Sequence, residues 1–563
     1  MGARPAMRTA PARTPLDRLL DTRRPYLLLA ALCLALWLPG FLVLPPSDRD
    51  EARFVQATKQ MLETGDFITL RTGEVERNKK PIGIHWLQAP FAAAARATGI
   101  ATANPVWPYR IPSLLGGILA CWATFGLGAA LVGRRAALLA GGMLAASVLL
   151  TVEAHIAKTD AMLLAAITAV MGLLARAWLD PARFGARQAA LFWLALGGGV
   201  LLKGPVAPMI PALAVAYLCW REKRWRWVGT LRPAWGIPLM LAVAAPWFIA
   251  VGIATEGRFF AEAIGQDFGG KIASGGEQHW GPPGLYLLLL PFTLFPASLL
   301  VLRALPAAWA ARREAATAFL IAWVVPNWIV FEAVVTKLPH YVLPLYPALC
   351  LVAARWALDS ARVQPPRWWR RATVGLFVAG AAVLGLGGAA VPLLADGRVG
   401  WGPAALVAAA LLAWLVLRAV RGGDWPRAAA AGIVAMPLVY LAVFQFVLAR
   451  TEAIWISPRL AAEVAAVLGP RPTTDQRFGV VGYHEPSLMF LAGTGTQWIG
   501  TGWDGARFLA EAPGRLVAIG DRDLAAFHEE AAKLGLVPRE VGTVDGFNYS
   551  RGRRVTLTLF VRG

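Results

Sequence analysis

Charged residues are scarce in this chain of 563 residues. Only 16% of its residues are charged, 57% are hydrophobic, and the mean hydropathy is +0.53. Ordinary soluble domains carry about 25% charged residues, so the composition excludes that class. Apolar windows of roughly 17 to 25 residues recur along the first part of the chain, and each is long enough to cross a bilayer as a helix. The sequence therefore predicts a polytopic membrane protein.

Cysteine is also rare. The chain has four cysteines, and all of them lie within apolar runs: Cys33, Cys121, Cys219 and Cys350. This placement excludes a disulfide framework and a cysteine-ligated metal cluster. We expect all four to be small core residues.

Acidic residues are outnumbered, 34 against 55 Lys and Arg, which gives a formal net charge of +21. Such an excess can indicate nucleic-acid binding, but here the basic residues fall mainly in loops between apolar runs. That distribution is typical of membrane topology and of contact with anionic lipids. We therefore expect membrane lipids as partners and no nucleic acid.

The apolar windows predict about thirteen transmembrane helices. They cover roughly 25–45, 110–131, 134–153, 160–178, 187–202, 205–220, 235–254, 283–303, 315–333, 340–357, 371–394, 402–420 and 427–448. An arginine-rich segment precedes the first window and no small-residue cleavage site follows it, which favours an uncleaved signal anchor that starts in the cytoplasm. Alternate loops carry the Lys and Arg excess, in agreement with this orientation.

The composition changes after residue 449, where helical and strand patterns alternate with turn residues between them. We predict an all-α membrane domain over 1–449 and a small soluble α/β domain over 450–563. An odd number of spans places the α/β domain on the same, non-cytoplasmic face as the long first loop, 46–109.

The most charged piece of the first half is the stretch Pro46–Pro81 in this loop. Its positive charge lies on the face that membrane topology disfavours, which suggests a functional anion there. Asp50 and Glu51 open an amphipathic helix, so they either cap that helix or do chemistry. Lys80 precedes the next helix and could hold a phosphate.

Unusual polar residues gather at span ends on the same face. They are Glu153, His155, Lys158, Asp160, Lys203, Lys337, His340 and Tyr341. An ionisable group at a membrane boundary is costly unless it is hydrated, paired or used. Helix capping would also account for Asp160, and each lysine could extend its amine to water. Their recurrence at one face favours a shared site.

These motifs form an ordered set. DEARF, GDF, KKPIGIHWL, a span that opens at TDA, LLKGP and TKLPHYVLPLYP follow one another along the chain. In this order they resemble the aminoarabinose-transferase-like (ArnT-like) glycosyltransferases of the GT-C group, which are related to protein O-mannosyltransferases. The resemblance covers essentially the whole membrane part, and that family also carries a trailing α/β domain.

The resemblance implies a GT-C fold and transfer of a sugar from a polyprenyl phosphate, such as undecaprenyl phosphate, to an acceptor on the periplasmic face, without a nucleotide. The implied acceptor is lipid A or another envelope glycan. The implied catalytic residues are Asp50, Glu51 and Asp160. The residues expected to bind the donor phosphate are Arg53, Lys80, Lys203, Lys271, Lys337, His340 and Tyr341.

Two departures from the family pattern concern metal and sugar. Members often read FEKP where this chain has NKKP, so Lys79 stands at the glutamate position, and a later Glu-His pair is replaced by Asp267-Phe268. We therefore predict no metal or other cofactor, with Glu277 and His279 as a weaker metal-binding alternative. The reversed charge at Lys79 leaves the sugar open.

Three alternatives remain to be weighed against this function. A protein O-mannosyltransferase-like enzyme would share the donor chemistry. A lipid-linked-sugar transporter or flippase would place its polar groups near the midplane, often in paired repeats, whereas no fixed-period repeat is visible here. A binding protein that works through its α/β domain is the third. The leading expectation is a multi-pass protein of the bacterial inner membrane, with its site on the periplasmic face.

Overall fold

The fold comes from a computed structural model that describes residues 20–77, 80–99, 104–263, 265, 280–359, 363–469 and 475–563. Most of this chain is helical through Arg450. The helices are α1 (Arg24–Trp37), α2 (Asp50–Thr64), α3 (Gly83–Ala97), α4 (Trp107–Val132), α5 (Arg134–Ala145), α6 (Val148–His155), α7 (Asp160–Leu179), α8 (Ala186–Lys203), α9 (Val206–Glu222), α10 (Pro233–Ala254), α11 (Leu285–Thr293), α12 (Ser298–Ala310), α13 (Ala315–Ala333), α14 (Tyr346–Leu358), α15 (Arg367–Asp396), α16 (Gly402–Arg421) and α17 (Trp425–Tyr440).

Eight helices in the described ranges are long and apolar enough to cross a membrane, and the pair α5 and α6, bent by 59°, would make nine. One of the eight begins at Pro339 and ends with α14, and another continues α17 to Arg450. Helices α1 and α12 are apolar but shorter than 18 residues. The chain is an integral membrane protein, and the count of thirteen spans stays a prediction.

Two close helix contacts position the polar ends of the bundle. A Cβ on Gly116 of α4 would lie 2.6 Å from the Met162 nitrogen of α7, and a Cβ on Gly83 of α3 would lie 2.6 Å from the Leu201 carbonyl oxygen of α8. Only glycine lets these backbones approach so closely. The first contact fixes the start of α7, and the second brings the start of α3 to the end of α8.

Helix α2 differs from its sequence-based interpretation. Its pattern predicts a helix that lies on the membrane surface with one apolar face, but both faces are covered. Phe54, Ala57 and Met61 are buried, and so are the polar Gln56 and Lys59. The reason is that the C-terminal domain covers the side that would otherwise face water.

The C-terminal domain is built on a five-stranded sheet. A two-stranded ribbon in the first loop, β1 (Arg71–Thr72) and β2 (Val75–Glu76), precedes it in the chain. The sheet strands are β3 (Phe478–Val481), β4 (Gln497–Ile499), β5 (Leu516–Gly520), β6 (Pro538–Asn548) and β7 (Arg553–Arg562). Strands β4, β3 and β5 are parallel, whereas β7 pairs antiparallel with β5 and β6.

Helices cover both faces of this sheet because its central strands are apolar throughout. They are α18 (Ile456–Leu468), α19 (Pro486–Ala492), α20 (Gly502–Glu511) and α21 (Leu524–Lys533). The domain's described residues form two hydrophobic cores. In one, Leu460 of α18 packs with Leu557 and Leu559. The other contains Leu509 and Phe527. The predicted α/β character of the C-terminal part is confirmed.

The C-terminal domain docks directly on α2 and the segment before it. The buried Lys59 ammonium donates to the Phe490 carbonyl at 3.0 Å, and the Gln56 amide donates to Thr494 at 3.0 Å. Upstream, the Asp48 N–H donates to the Tyr549 hydroxyl at 2.7 Å. These bonds tie the domain to the helix that begins at Asp50.

Candidate active site

The site is built around the break between α6 and α7, where residues 156–159 connect two buried helix ends. Glu153 and His155 lie in the last turn of α6, and Asp160 is the first residue of α7. Lys158, between the two helices, places its Nζ 2.9 Å from Glu153 Oε1 and 3.4 Å from Asp160 Oδ2. One ammonium group therefore joins the two carboxylates.

Lys203 supplies a second cation at the end of α8. Its ammonium makes a short hydrogen bond to Asp160 Oδ1 and lies 5.2 Å from the centre of the Tyr341 ring. The helix ends here because Gly204 adopts a φ of +60°, which glycine accepts readily. The Lys203 side chain keeps 16% of its surface exposed.

His340 closes the cluster from the segment that leads into α14. Its Nδ1 lies 3.7 Å from Glu153 Oε1 and 3.4 Å from Lys158 Nζ, and its Nε2 lies 3.8 Å from Asp160 Oδ2. Its ring meets Tyr341 edge-on at 5.1 Å. Residues far apart in the chain thus converge on one point.

We call Glu153, Lys158, Asp160, Lys203 and His340 the charged cluster. Its two carboxylates and two ammonium groups balance in charge, which lowers the cost of burying them. Burial by itself would lower the pKa of the Lys158 amine, but the carboxylates of Glu153 and Asp160 outweigh it and hold that pKa above its ordinary value. Glu153 Oε2 is buried and has no hydrogen-bond partner among the described residues.

The cluster does not suit a divalent metal ion in this arrangement. Glu153, Asp160 and His340 each bring one potential ligand atom, and these atoms lie within 4.8 Å of one another. However, Lys158 and Lys203 already neutralise the two carboxylates. A metal ion would have to displace both ammonium groups from these oxygens. The residues on which the metal prediction was based all lie outside the described residues: Lys79, Asp267, Phe268, Glu277 and His279.

Asp50 and Glu51 have opposite environments although they are neighbours. Asp50 is exposed at the first turn of α2, and its carboxylate has no hydrogen bond or ion pair within the described part of the chain. It lies near enough to Lys158 to contribute to the raised pKa of that amine. Asp50 is therefore an unengaged carboxylate beside the charged cluster.

Glu51 is buried and fully engaged. Both of its oxygens accept from the Arg110 guanidinium, at 2.7 and 3.0 Å, and they also accept from the backbone N–H groups of Ser47 and Ala157. Burial would raise the pKa of Glu51, but Arg110 outweighs it and lowers that pKa. Because Ala157 adjoins Lys158, the pair ties the first loop to the charged cluster. No sequence motif pointed to Arg110, because its role depends on contacts with residues about 60 positions earlier in the chain.

The structure places the remaining predicted phosphate ligands differently. Lys80 lies close enough to His340 for its charge to act on that ring, and Tyr341 lies beneath Lys203. Arg53 is exposed on α2. Lys337 donates to the carbonyls of Gly281 and Val334, at 3.0 and 2.7 Å, and so bonds to backbone and not to the cluster. Lys271 lies outside the described residues.

An apolar groove of about 790 Å³ runs along the bundle, and no residue of the charged cluster lines it. Its walls come from α1, α3, α4, α7 and α8, and they are rich in small residues such as Ala166 and Gly198. Gly83, Met162 and Leu202 line the end nearest the cluster, each within three positions of Lys80, Asp160 or Lys203. The groove thus ends close to the segments that carry Lys80, Asp160 and Lys203.

Comparison with known proteins agrees with these features. Residues 79–249 match a family model described as dolichyl-phosphate-mannose-protein mannosyltransferase. Two similar relatives are undecaprenyl phosphate-alpha-4-amino-4-deoxy-L-arabinose arabinosyl transferases. The one from Pectobacterium carotovorum is 28% identical over 349 residues, which cover 60% of this chain and 61% of the relative. The one from Pseudomonas aeruginosa is 29% identical over 364 residues, which cover 62% of this chain and 60% of the relative. The matches thus span about three fifths of these relatives' length.

A solved structure extends the likeness to the whole chain. ArnT from Cupriavidus metallidurans, in a crystal structure bound to undecaprenyl phosphate, superposes with a TM-score of 0.74 at 19% identity, over 96% of this chain and 98% of that one. The apo structure of the same protein superposes with a TM-score of 0.72, over 94% of this chain and 97% of that one. The resemblance drawn from the ordered motifs is therefore confirmed, and this chain is an integral membrane protein with the ArnT-like GT-C fold.

Proposed function

We propose that this protein is a glycosyltransferase that moves a sugar from a polyprenyl-phosphate donor to an envelope acceptor. The observation that carries the proposal is the charged cluster close to one end of an apolar groove. A polyprenyl phosphate has the matching construction, because a long apolar chain ends in an anion that carries the sugar. The relatives named for undecaprenyl phosphate-linked arabinosyl transfer support the same donor class.

The groove accounts for the donor chain. Its walls are mainly apolar, and its small residues leave room between α3, α4, α7 and α8. The polyprenyl tail lies along it, and its phosphate reaches the end where Lys80 and Lys203 stand. Those ammonium groups then face the phosphate oxygens, with Tyr341 beside Lys203 as a further donor.

The reaction breaks the bond between the sugar C1 and the phosphate oxygen. The departing polyprenyl phosphate keeps the bonding electrons, and Lys80 and Lys203 stabilise the added negative charge. The acceptor oxygen attacks C1 from the opposite face, so the configuration inverts. Asp160 holds Lys203 in place through their short hydrogen bond.

Asp50 acts on the acceptor. As the unengaged carboxylate beside the cluster, it accepts the proton from an acceptor hydroxyl as that oxygen bonds to C1. If the acceptor is a phosphate, as on lipid A, it is already a nucleophile, and Asp50 orients it and balances charge. Glu51, which the sequence assigned to catalysis, is better explained as a positioning residue because Arg110 occupies both of its oxygens.

Lipid A or another envelope glycan is the first proposed acceptor, and the site faces the periplasm of the bacterial inner membrane. The relatives named as arabinosyl transferases favour a pentose. A protein acceptor is the second candidate, because the description of the matching family model names a protein mannosyltransferase. The reversed charge at Lys79 leaves a hexose donor open.

A deletion strain tests the proposal. We expect mass spectrometry to show one sugar missing from one fraction among lipid A, other envelope glycans and secreted proteins, and we expect the wild-type gene to restore it. Loss from the protein fraction alone would favour the second acceptor. An unchanged sugar content in all three fractions would contradict the proposal.

A further inference from the structure

A second cavity, of about 460 Å³, lies where the membrane helices meet the C-terminal domain. Asp396 at the end of α15, Trp401 just before α16 and Arg450 at the end of the span that begins with α17 all line it. Arg459 of α18 and Arg554 of β7 line it from the C-terminal domain. The cavity thus sits at the boundary between the spans and the soluble domain, and its volume suits a small polar group.

Arginines from four separate segments converge on this cavity: Arg398, Arg450, Arg459 and Arg554. Within the described residues, none of the four forms an ion pair with a carboxylate. Arg554 donates to the Ala395 carbonyl at 3.0 Å, and Arg459 donates to the Asp545 carbonyl. Arg459 Nε is buried without a partner in the described part of the chain. Backbone carbonyls therefore hold the guanidinium groups of Arg459 and Arg554 in place.

The nearby carboxylate of Asp396 is engaged elsewhere. It accepts from the backbone N–H groups of Glu452 and Ala453, at 3.1 and 2.8 Å. These bonds fix the turn that connects the last span to the C-terminal domain. Glu452 and Asp545 also line the cavity, so its four arginines exceed its three acidic residues by one charge. That excess favours an external anion.

Aromatic rings mark the depth of the cavity relative to the membrane. Trp401 stacks on Phe446 at 4.8 Å, and the Arg450 guanidinium lies 5.4 and 5.3 Å from their ring centres. Such rings are typical of the membrane–water interface, where lipid phosphates also lie. Simple interfacial anchoring would explain Arg450 alone, but it does not explain four arginines that line one concave space.

We propose that this cavity binds the phosphate of an anionic lipid headgroup. The guanidinium is the side chain best suited to bidentate phosphate contacts. Four of them line the site, and among the described residues none lies within ion-pair distance of a carboxylate. None of the residues that line the cavity belongs to the charged cluster or to the apolar groove. The site is thus separate from the proposed donor site, and it does not depend on the proposed reaction.

Binding of short-chain phosphatidic acid to the purified full-length protein tests this site. Diacylglycerol with the same acyl chains differs only by the missing phosphate, and inorganic phosphate serves as the soluble probe. The variants are Arg398→Gln and Arg450→Gln, both at exposed side chains, so the fold should be preserved. Arg421→Gln is the matched control, because Arg421 is exposed at the opposite end of α16.

We expect phosphatidic acid to bind the wild type and the Arg421→Gln variant equally. Each cavity variant should weaken binding about tenfold, because a charge-assisted contact to phosphate is lost. Diacylglycerol should not bind measurably. Equal binding of both lipids, or equal affinity of wild type and cavity variants, would overturn the site. Inorganic phosphate that binds as tightly as phosphatidic acid would overturn the lipid assignment.

Discussion

Among the single side chains, Glu51 and Asp50 show how neighbours in one motif take different tasks. Glu51 lies under Arg110, with side-chain exposures of 0% and 2%. Loss of one partner from such a buried pair leaves an uncompensated charge. The neighbouring Asp50 is exposed, so its replacement should leave the fold intact.

We expect Glu51→Gln to destabilise the protein by about 3–5 kcal/mol, because Arg110 then stays charged and buried without its partner. The thermal unfolding midpoint in detergent measures this effect. Asp21→Asn is the matched control, since it removes an exposed carboxylate that pairs with Arg134 at 3.0 Å. If both variants unfold at the wild-type temperature, the structural role of Glu51 is wrong.

Lys203→Gln tests the stabilisation of the leaving phosphate. We expect kcat to fall about hundredfold, because a cation that faces the developing charge is lost from a partly dry site. Lys158 still neutralises Asp160 in this variant, so the fold should persist. The rate of polyprenyl phosphate release is the measurement. Lys223→Gln, at the end of α9, should keep the wild-type rate; an equal loss in both variants would contradict the assignment.

Among the helices, α8 connects the groove to the cluster, since it carries Gly198 in a groove wall and Lys203 at its end. A Cβ added at Gly198 would meet no atom within 4 Å. A larger side chain therefore fits without disturbing the helix and fills the groove instead.

We expect Gly198→Leu to raise the KM for a long-chain donor about tenfold, because the tail loses apolar contacts worth roughly two methylene groups. A donor with a short tail should be affected less. The two KM values are compared by steady-state kinetics. Gly375→Leu is the control, since Gly375 also has open space around it on α15, away from the groove. If Gly198→Leu leaves the KM for the long-chain donor unchanged, the polyprenyl tail does not lie in this groove.

The contact between the C-terminal domain and the segment before α2 should depend on pH. Burial raises the pKa of Asp48 to about 6, although a hydrogen bond from Ser487 opposes this shift. The folded state therefore favours the protonated acid. The stability that this preference contributes is greatest below about pH 4 and is lost as the pH rises through about 6.

Asp48→Asn should remove this loss of stability at higher pH, because the amide side chain stays neutral at every pH. We expect the midpoint of the variant, relative to wild type, to rise between about pH 4.5 and about pH 7. Thermal unfolding at both pH values measures the difference. Asp475→Asn, an exposed position in the same domain, should show no such change. If the difference in unfolding midpoint between Asp48→Asn and wild type is the same at both pH values, the raised pKa of Asp48 in the folded state is refuted.

Sequence patterns found the elements of this site but not their partners. Apolar windows and the ordered motifs predicted the membrane part, the α/β domain and the polar residues at one face. They did not show that Lys158 joins Glu153 to Asp160, that Arg110 engages Glu51, or that the C-terminal domain buries α2. Each of these contacts joins residues brought together by folding. Lys337 shows the converse, because its motif suggested a phosphate ligand while its amine bonds to backbone carbonyls.

For the molecule as a whole, the arrangement separates three tasks. The bundle supplies an apolar groove, the helix ends supply charge, and the C-terminal domain holds the first loop in place. The docking bonds to Asp48 and Lys59 lie on both sides of Asp50 in the chain. Consequently the domain belongs structurally to the site, although its own sheet lies apart from the charged cluster.

The most direct test of the central claim compares two carboxylates in a deletion strain. Asp50→Asn removes the proposed catalytic group, and Asp180→Asn removes an exposed carboxylate at the far end of α7. Both variants should be produced at wild-type levels. Mass spectrometry of the envelope fractions should show the missing sugar restored by wild type and by Asp180→Asn, but not by Asp50→Asn. Full restoration by Asp50→Asn would contradict the account.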